Sequence, residues 1–561
     1  MDNQRLLVWG LFGFLAWITY QTWVEQYAPK PAAVVQAEQV ETPAIADLES
    51  DLPALSAPSD GQLDAPVAIG AETPDIQTNT PGAPTIRVTT DVLDIEISTR
   101  GGTLQSAVLL NYPVAKDQPN TLVSLLGTDG ANFGSIQTGL RALGDGDEAT
   151  HEAIFSSSQT SYELGSAEEI IVPLTWQGAN GVNVEKRFRF TRGAYAVAIE
   201  QIVNNRGDSV WSGADYAQIK RVSKAQERSM FDVDSYSFMG PIVYNGEKSE
   251  KLNRDDLLDD GAYSFKATNG WLGAIEHHFL SAIIPQRDTN RAYTVSARGE
   301  RSTASVIGPA EAVVPGAAKT FTTIVFVGPK MQSQLEEIDE TLKLTVDYGW
   351  LTIISQPLFW VLNFVFNYVG NWGVAIILVT LLIKLAFYKL TESSGRSMAK
   401  MRNLQPRMKA LQDRYKDDKP ALSQAMMELY KREKVNPAAG CLPILIQMPF
   451  FLAFYWVLLE SVEMRQAPFA LWITDLSTKD PYFILPLIMG AAMFTQQKLN
   501  PAPADPVQAK VMQIMPIMFT GFFAFFPSGL VLYWVTNTLL SIAQQWKINK
   551  VVEQEAKLSK R

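Results

Sequence analysis

The stretch WGVAIILVTLLIKLAFYKL, residues 372–390, decides the class of fold. It is apolar for about three helical turns before Lys384, and its length is close to the ~20 residues that a helix needs to cross a bilayer. A charge at bilayer depth costs roughly 2.5–3.5 kcal/mol on insertion scales, so we expect Lys384 to face a water-filled cavity or a polar partner. The alternative is that its side chain snorkels to the membrane surface beside Lys389.

Further apolar segments occur on both sides of this stretch. Four follow it, at residues 442–459, 482–494, 511–526 and 530–543. Several are shorter than a full span, which requires either local thinning of the bilayer or extension of the helix by polar flanking turns. Another, within residues 1–27, has a thin basic flank and many aromatic residues, and we interpret it as an uncleaved signal-anchor span. The predicted fold class is a multi-span α-helical membrane protein with six spans, five of which form a core at residues 371–546.

The region between the anchor and the core has three different textures. Residues 28–84 are rich in Pro, Ala, Asp and Glu, which predicts a disordered acidic linker. Residues 85–330 alternate apolar and polar residues in short runs separated by turn signals, which predicts an inserted all-β sandwich domain. Residues 331–370 mix apolar and polar residues. They predict a linker followed by an amphipathic helix that lies in the membrane interface.

Two features could suggest a metal site or a thiol site. Glu276-His277-His278 contains adjacent histidines, but adjacent residues on a strand point to opposite faces, so we expect no metal there. Cys441 is the only cysteine, which excludes an intrachain disulfide and a thiolate cluster. We expect it to be a small buried residue at the start of a helix. The sequence therefore predicts neither a metal nor a cofactor.

The distribution of charge predicts the topology. If the N-terminus is inside, six spans place the 392–440 loop, the loop before residue 511 and the 547–561 tail on the cytoplasmic side, and all three are basic. The 460–481 loop then lies outside and has only Arg465 and Lys479 as bases, against four acids. This pattern follows the positive-inside rule. We therefore expect both termini in the cytoplasm. The net charge of -10 gives no indication of nucleic-acid binding.

Polar residues recur within the predicted spans. Thr380 lies one turn before Lys384 on the same helix face. Others are Gln447, Thr536, Asn537 and Ser541. Because lipid-exposed polar groups are costly, convergence on one wet cavity is favoured, with polar contacts between helices as the alternative. No Asp or Glu lies deep in these spans, which argues against a coupled transporter and leaves Lys384 without a counter-ion.

The basic loop at 392–440 also carries a regular apolar stripe. Met398, Met401, Leu404, Met408, Leu411 and Tyr415 repeat at helical spacing, and Met426 lies on a second helical segment after a break at Pro420. The pattern predicts a cytoplasmic helical hairpin. Its methionines suit adaptable contact with varied apolar clients, and a hairpin that simply packs on itself is an equal alternative.

Several motifs in order resemble the YidC insertases of Gram-negative bacteria, densely from about residue 350 to 550. They are SMAKM (397–401), EKVNP (433–437), GC (440–441), LIQMP (445–449), RQAPFALW (465–472) and FPSGLVLY (526–533). The resemblance implies a five-helix core around a hydrophilic groove that is open to the cytoplasm and to lipid but closed outside. It also implies a location in the bacterial inner membrane with the large domain in the periplasm.

The resemblance also implies roles for individual residues. The family's groove cation matches Lys384, its polar partners match Thr380 and Gln447, and its client-contacting aromatic position matches Tyr533. We add Trp534 and Thr536 to the predicted groove. The best-known members have Arg where this chain has Lys384, so a point charge replaces a bidentate fork.

The implied function is insertion and folding of inner-membrane proteins, alone or with a Sec translocon. Expected partners are nascent membrane-protein clients, the Sec translocon, the ribosome and the bilayer, with the chain itself a monomer. One alternative is a small-solute transporter or channel with a periplasmic ligand-binding domain, which predicts inverted repeats and intramembrane acids. Another is a sugar- or partner-binding sandwich with a membrane anchor. No nucleophile–base pairing or phosphate-binding loop indicates an enzyme.

Overall fold

The computed structural model describes residues 83–144, 146–222, 237–415, 418–433, 442–499 and 506–558. All of them fall within one compact unit. The predicted signal anchor, nearly all of the predicted acidic linker, Cys441 and the last three residues of the basic tail lie outside the described residues.

Residues 85–329 form two β-sheets. The strands are β1 (Thr85–Thr89), β2 (Leu93–Ser98), β3 (Thr103–Pro113), β4 (Leu122–Leu126), β5 (Gly134–Ala142), β6 (Ser161–Glu163), β7 (Glu169–Gln177), β8 (Val182–Thr191), β9 (Ala196–Asn205), β10 (Trp211–Val222), β11 (Met239–Tyr244), β12 (Ser249–Lys251), β13 (Tyr263–Thr268), β14 (Trp271–Glu276), β15 (Phe279–Pro285), β16 (Asn290–Arg298), β17 (Arg301–Ile307), β18 (Glu311–Val313) and β19 (Ala318–Pro329). The first sheet runs β13-β16-β17-β10-β5-β3-β2-β1-β6, with β18 on β10 and β4 on β3. The second runs β12-β11-β14-β15-β19-β9-β8-β7. The prediction of a β-sandwich is confirmed, and the domain is mostly β because it also contains the six-residue helix Arg254–Asp259.

Strand β8 shows why these residues form a sandwich. Buried and partly exposed residues alternate along its whole length, as expected for a strand with one face on a core. Phe188 and Phe190 lie on the buried face, while Arg187 and Arg189 lie on the other face. Lys186 shares the buried face with the two phenylalanines and is completely enclosed. The period of two predicts the strand, but it does not predict a lysine inside the core.

Ten helices are described. They are α1 (Arg254–Asp259), α2 (Gln332–Ile338), α3 (Thr352–Val369), α4 (Trp372–Ala386), α5 (Tyr388–Arg414), α6 (Lys419–Arg432), α7 (Leu442–Glu460), α8 (Ile484–Leu499), α9 (Pro506–Phe523) and α10 (Ser528–Leu558). Helix α10 packs against α8, α4 and α5, while α3 packs against α7 and α4. The β domain leads through α2 into this helical part.

Helix α4 contains Lys384 and has well-defined ends. The side chain of Asn371 accepts a hydrogen bond from the backbone N–H of Val374 at 3.0 Å, which caps the first turn. At Phe387 the chain bends by 69° from α4 into α5. The Lys384 helix is therefore a short element of 15 residues that ends shortly after the lysine.

Few of the described helices are both long and apolar enough to cross a membrane alone. By its length and apolar composition, the helix Gly349–Val369 is able to cross a membrane. The bent pair α4 and α5 is a second candidate span if the two helices together form one span. Ile446–Glu460 and Lys510–Phe523 are shorter apolar helices. The six spans therefore stay a prediction.

Helix α3 has two unlike faces. Leu358 and Leu362 are buried, and Ser355 donates to the carbonyl oxygen of Ala453 in α7 at 3.2 Å. On the opposite face the rings of Trp360, Phe364 and Tyr368 contact one another in sequence and are largely exposed. Because this helix is also long and apolar enough to cross a membrane, its position in the membrane interface stays a prediction.

Helices α5 and α6 form a hairpin. Leu404 and Met408 from α5 pack with Leu429 and Tyr430 from α6 in a small apolar core. The side chain of Asp418 accepts from the backbone N–H of Ala421 at 3.0 Å and begins α6. The base of the hairpin packs on the end of α10, where Ala399 meets Ile548 and Val552.

Candidate functional site around Lys384

Lys384 joins two helices through one hydrogen bond. Its Nζ donates to Oγ of Ser541 in α10 at 2.8 Å. Ser541 in turn donates to the carbonyl oxygen of Asn537 at 2.7 Å. Within the described part of the chain, no ion pair involves Lys384, and the side chain is partly buried. An ammonium can donate three hydrogen bonds, so two of its donors are left for another acceptor.

The two predicted threonines are buried and satisfy themselves within their helices. Thr380 Oγ1 donates to the carbonyl oxygen of Ile376 at 2.6 Å. Thr536 Oγ1 donates to the carbonyl oxygen of Leu532 at 2.8 Å. Their hydroxyl protons are thus used locally, and the threonine oxygens can act only as additional acceptors.

Tyr533 and Trp534 pack against an aromatic patch on α7. The ring of Phe451 lies 5.9 Å from Tyr533 in a stacked arrangement and 4.7 Å from Trp534 edge-on. Phe454, one turn further, lies 4.8 Å from Tyr533. Sequence reasoning did not single out these two phenylalanines. Their i, i+3 spacing, which places both rings on one face of a helix, is the feature of the sequence that indicates an aromatic patch.

Two buried donors near this patch have no hydrogen-bond partner among the described residues. Nε2 of Gln447 and Nε1 of Trp534 are enclosed, and neither makes a hydrogen bond to any described residue. Gln447 lies one helical turn before Phe451 on the same face of α7. An unsatisfied buried donor costs about 1–3 kcal/mol, so both groups favour a ligand that supplies acceptors.

The predicted groove residues are contributed by α4, α7 and α10. Phe387, three residues after Lys384, contacts Phe450, three residues after Gln447, with ring centroids 5.0 Å apart. The Lys384–Ser541 bond joins α4 to α10. The site thus combines an ammonium, two N–H donors and an aromatic wall, and its described groups donate more hydrogen bonds than they accept.

The opposite end of α4 is covered by the loop between α7 and α8, residues 461–483, which we call the outer loop. Asn371 Nδ2 donates to the carbonyl oxygen of Phe469 at 2.8 Å, and Gly373 lies directly under the Phe469 ring. Two buried carboxylates organise this loop. Asp475 accepts from the backbone of Gln466 and Ser477, and Asp480 accepts from Trp472 Nε1 and from the backbone of Tyr482 and Leu485.

Three of the four predicted hairpin methionines face the hairpin core. Met408 is buried in the hairpin core, and Met401 and Met426 pack against it. Met398 is partly buried at the base of α5. This packing is what the self-packed alternative expects, and contact of these methionines with a client stays a prediction.

The adjacent histidines do not lie on a strand, so the reasoning from opposite strand faces was wrong for them. His277 has a positive φ of 43° in the turn between β14 and β15. The rings of His277 and His278 stack with centroids 3.7 Å apart. Both Nε2 atoms lie within hydrogen-bond distance of the carbonyl oxygen of Leu459, at 3.3 and 3.1 Å. They connect the β domain to the end of α7.

Known proteins are similar to this chain over almost its whole length. A family described as 60Kd inner membrane protein matches residues 364–555, and one described as YidC periplasmic domain matches residues 85–361. The membrane protein insertase YidC of Thioalkalivibrio sulfidiphilus is 45% identical over 99% of this chain and 100% of its own length. That of Nitrosococcus oceani is 43% identical over the same shares. A crystal structure of an active YidC insertase is 19% identical, covers 82% of this chain and 94% of its own, and has a TM-score of 0.37. The sequence relatives show that this chain belongs to the YidC family of membrane protein insertases.

Proposed function

We propose that this chain inserts client proteins into the inner membrane by drawing an acidic client segment to Lys384. The observation that carries the proposal is an ammonium held between α4 and α10 by one serine, with no ion pair in the described chain. A client carboxylate would satisfy the remaining donors of Lys384.

The electrostatic attraction is large enough to matter. Two unit charges 4 Å apart attract by about 4 kcal/mol at an effective dielectric constant of 20. Desolvation of the client carboxylate offsets part of this attraction. Because Lys384 already lies at bilayer depth, it lowers the free energy that is needed to move the client's acidic residue into the bilayer. Because Lys is a compact point charge, the attraction requires proximity and not a particular carboxylate orientation.

The neighbouring groups fit the rest of a client segment. Gln447 and Trp534 offer N–H donors to client carbonyl groups, whose hydrogen bonds to water are lost in the bilayer. Tyr533, Phe451 and Phe454 form an apolar wall along α7 and α10. We propose that a client's apolar helix moves along this wall into lipid.

The wider assignment is also a proposal. We propose six spans with both termini in the cytoplasm, the β domain in the periplasm, and a monomeric chain that contacts the ribosome and the Sec translocon. The short apolar helices support a locally thinned bilayer, which would shorten the path of the client.

The test is insertion in proteoliposomes of one client that carries either an acidic or a neutralised N-terminal tail. Lys384→Glu should slow insertion of the acidic-tail client at least tenfold, because attraction becomes repulsion, and Lys384→Gln should give a smaller loss. Lys384→Arg should retain activity. Lys389→Gln is the matched control, since Lys389 is an exposed base just five residues away.

The neutral-tail client separates electrostatics from damage to the fold. Its insertion should change little in any Lys384 variant that remains folded by circular dichroism. Equal insertion of the acidic-tail client by Lys384→Glu and by the unmodified chain would show that the electrostatic step is wrong.

A further inference from the structure

The β domain holds the outer loop at two separate places. The first, which we call the clasp, lies after strand β3. Arg465 Nη2 donates to the carbonyl oxygen of Val114 at 2.9 Å, and Gln466 Nε2 donates to that of Pro113 at 2.8 Å. In return, Lys116 Nζ donates to the carbonyl oxygens of Gln466 and Thr474. These bonds cross between the two parts of the chain in both directions.

The second place is a buried cluster at the end of α7, made of His277, His278, Lys330, Glu460 and Glu463. The two histidines meet the carbonyl oxygen of Leu459, and Lys330 Nζ lies 3.5 Å from Glu460 Oε2. Lys330 is only 2% exposed and Glu460 10%, so this ion pair is almost completely removed from water. If the β domain separated from the end of α7, Lys330 and Glu460 would either have to be hydrated again or stay buried without a partner.

Glu463 contributes an unusual acid to the cluster. It lies in the short helical turn Val462–Met464 at the start of the outer loop, and its Oε2 is buried with no hydrogen-bond partner among the described residues. Its neighbours include Lys330 and the hydroxyl groups of Tyr112 and Tyr348. A carboxyl group in this setting is held more easily as the neutral acid than as the anion.

We propose that the β domain is a latch that keeps the outer loop folded over the core, through the clasp and through the buried cluster at the end of α7. The outer loop covers the end of α4 away from Lys384 through Asn371 and Gly373. Holding that loop therefore keeps this end of α4 covered. The latch does not depend on how Lys384 acts on a client.

The two titratable groups act in opposite directions. Burial, together with His277, Lys330 and Arg465, lowers the pKa of His278 well below 6.5, so its contribution to docking is lost as the pH falls below about 6.5. Burial raises the pKa of Glu463 from 4.5 to about 7, so its contribution is complete at low pH and is lost as the pH rises through 7. Between about pH 4.5 and 6.5 the two effects oppose each other. The other charges near Lys330, Lys251 and Asp347, form their own surface pair.

The latch itself is tested by hydrogen–deuterium exchange of peptides covering residues 461–483, in the full chain in lipid nanodiscs. The double variant Lys116→Ala/Lys330→Met should raise exchange of the outer loop at least tenfold, because it removes the Lys116 bonds of the clasp and the Lys330–Glu460 ion pair of the cluster and so weakens both attachments. Lys248→Met is the matched control, since that exposed lysine pairs with Glu250 at the domain surface. If the loop exchanges as in the unmodified chain while the β-domain peptides remain protected, the latch is refuted.

Single substitutions test the opposed protonation. Glu463→Gln leaves His278 as the titrating group, so protection factors of the outer loop should fall as the pH drops from 6.5 to 5, by up to tenfold per pH unit. His278→Asn leaves Glu463, so protection should fall as the pH rises from 5 to 7. The unmodified chain should vary less than either variant. Parallel pH profiles in all three proteins would overturn the proton-sensitive part of the proposal.

Discussion

Lys186 allows the cost of a buried charge in the β domain to be measured. Its side chain points from β8 into the space between the sheets, where Nζ donates to the carbonyl oxygens of Gly101 and Thr138 at 2.6 and 2.8 Å. It forms no ion pair with a described residue, and desolvation lowers the pKa of Lys186 to about 7. Lys186→Met retains a long apolar side chain and removes the ammonium.

The unmodified domain should gain stability as the pH rises above 7. A base whose pKa falls on folding binds protons more readily in the unfolded state, so its penalty is complete below pH 7 and vanishes above the usual value of 10.5. At about 1.4 kcal/mol per pH unit, the free energy of unfolding should rise by about 2.7 kcal/mol between pH 7 and 9. This slope should be absent from Lys186→Met.

At pH 7 the unmodified chain and Lys186→Met should have similar free energies of unfolding. Lys186→Met removes an ionisation penalty of about 5 kcal/mol, worked from the same shift in pKa. It also leaves two buried carbonyl groups without their donor, at about 1–3 kcal/mol each. These terms nearly cancel, so we expect a difference in unfolding free energy within about 3 kcal/mol at pH 7, and a clear loss of stability in the variant at pH 9.

The measurement is urea-dependent hydrogen exchange of peptides covering β8 and β9, in the full chain in detergent micelles at pH 7, 8 and 9. Lys248→Met controls for removal of a lysine from the same domain, because that residue is exposed and should keep the unmodified pH slope. If Lys186→Met and the unmodified chain gain stability equally between pH 7 and 9, then Lys186 is not the group that titrates.

Two further predictions concern the core. Gly373→Ala should lower the thermal unfolding temperature of the core, because the new Cβ would overlap the Phe469 ring, whereas Gly521→Ala, with open space beside it outside its own helix, should leave that temperature unchanged. Ser541→Ala removes the described hydrogen bond of Lys384, worth about 1 kcal/mol, and should speed amine labelling of Lys384 roughly fivefold by mass spectrometry. Equal labelling in Ser541→Ala and in a Thr536→Ala control would contradict this.

Much of the fold follows from patterns that are local in sequence. The period-two alternation of residues 182–191 predicts a strand with one buried face, and that strand is present as β8. The apolar residues around Lys384 predict a helix with an isolated charge, and α4 contains both. Such patterns depend only on how side chains alternate along a strand or a helix, which each segment carries by itself.

The backbone geometry of one turn was not predictable from the sequence pattern. His277 and His278 were expected on a strand with side chains on opposite faces. They lie instead in a turn, where the positive φ of His277 brings both rings to one side. Nothing in the sequence of the pair distinguishes a strand from the two-residue turn between β14 and β15.

Lys384 is recognisable in the sequence as a charge in an apolar helix without any nearby acid in its own segment, because hydropathy and charge are properties of single residues. The contact of its head group with Ser541, 157 residues away, and the donors of Gln447 and Trp534 that no described residue satisfies are visible only once the helices are packed together. The tertiary structure also decided that Met408 faces its own hairpin and that Lys186 lies between two sheets. A helical or strand pattern specifies which face is apolar, but the partner that covers that face comes from a distant part of the chain.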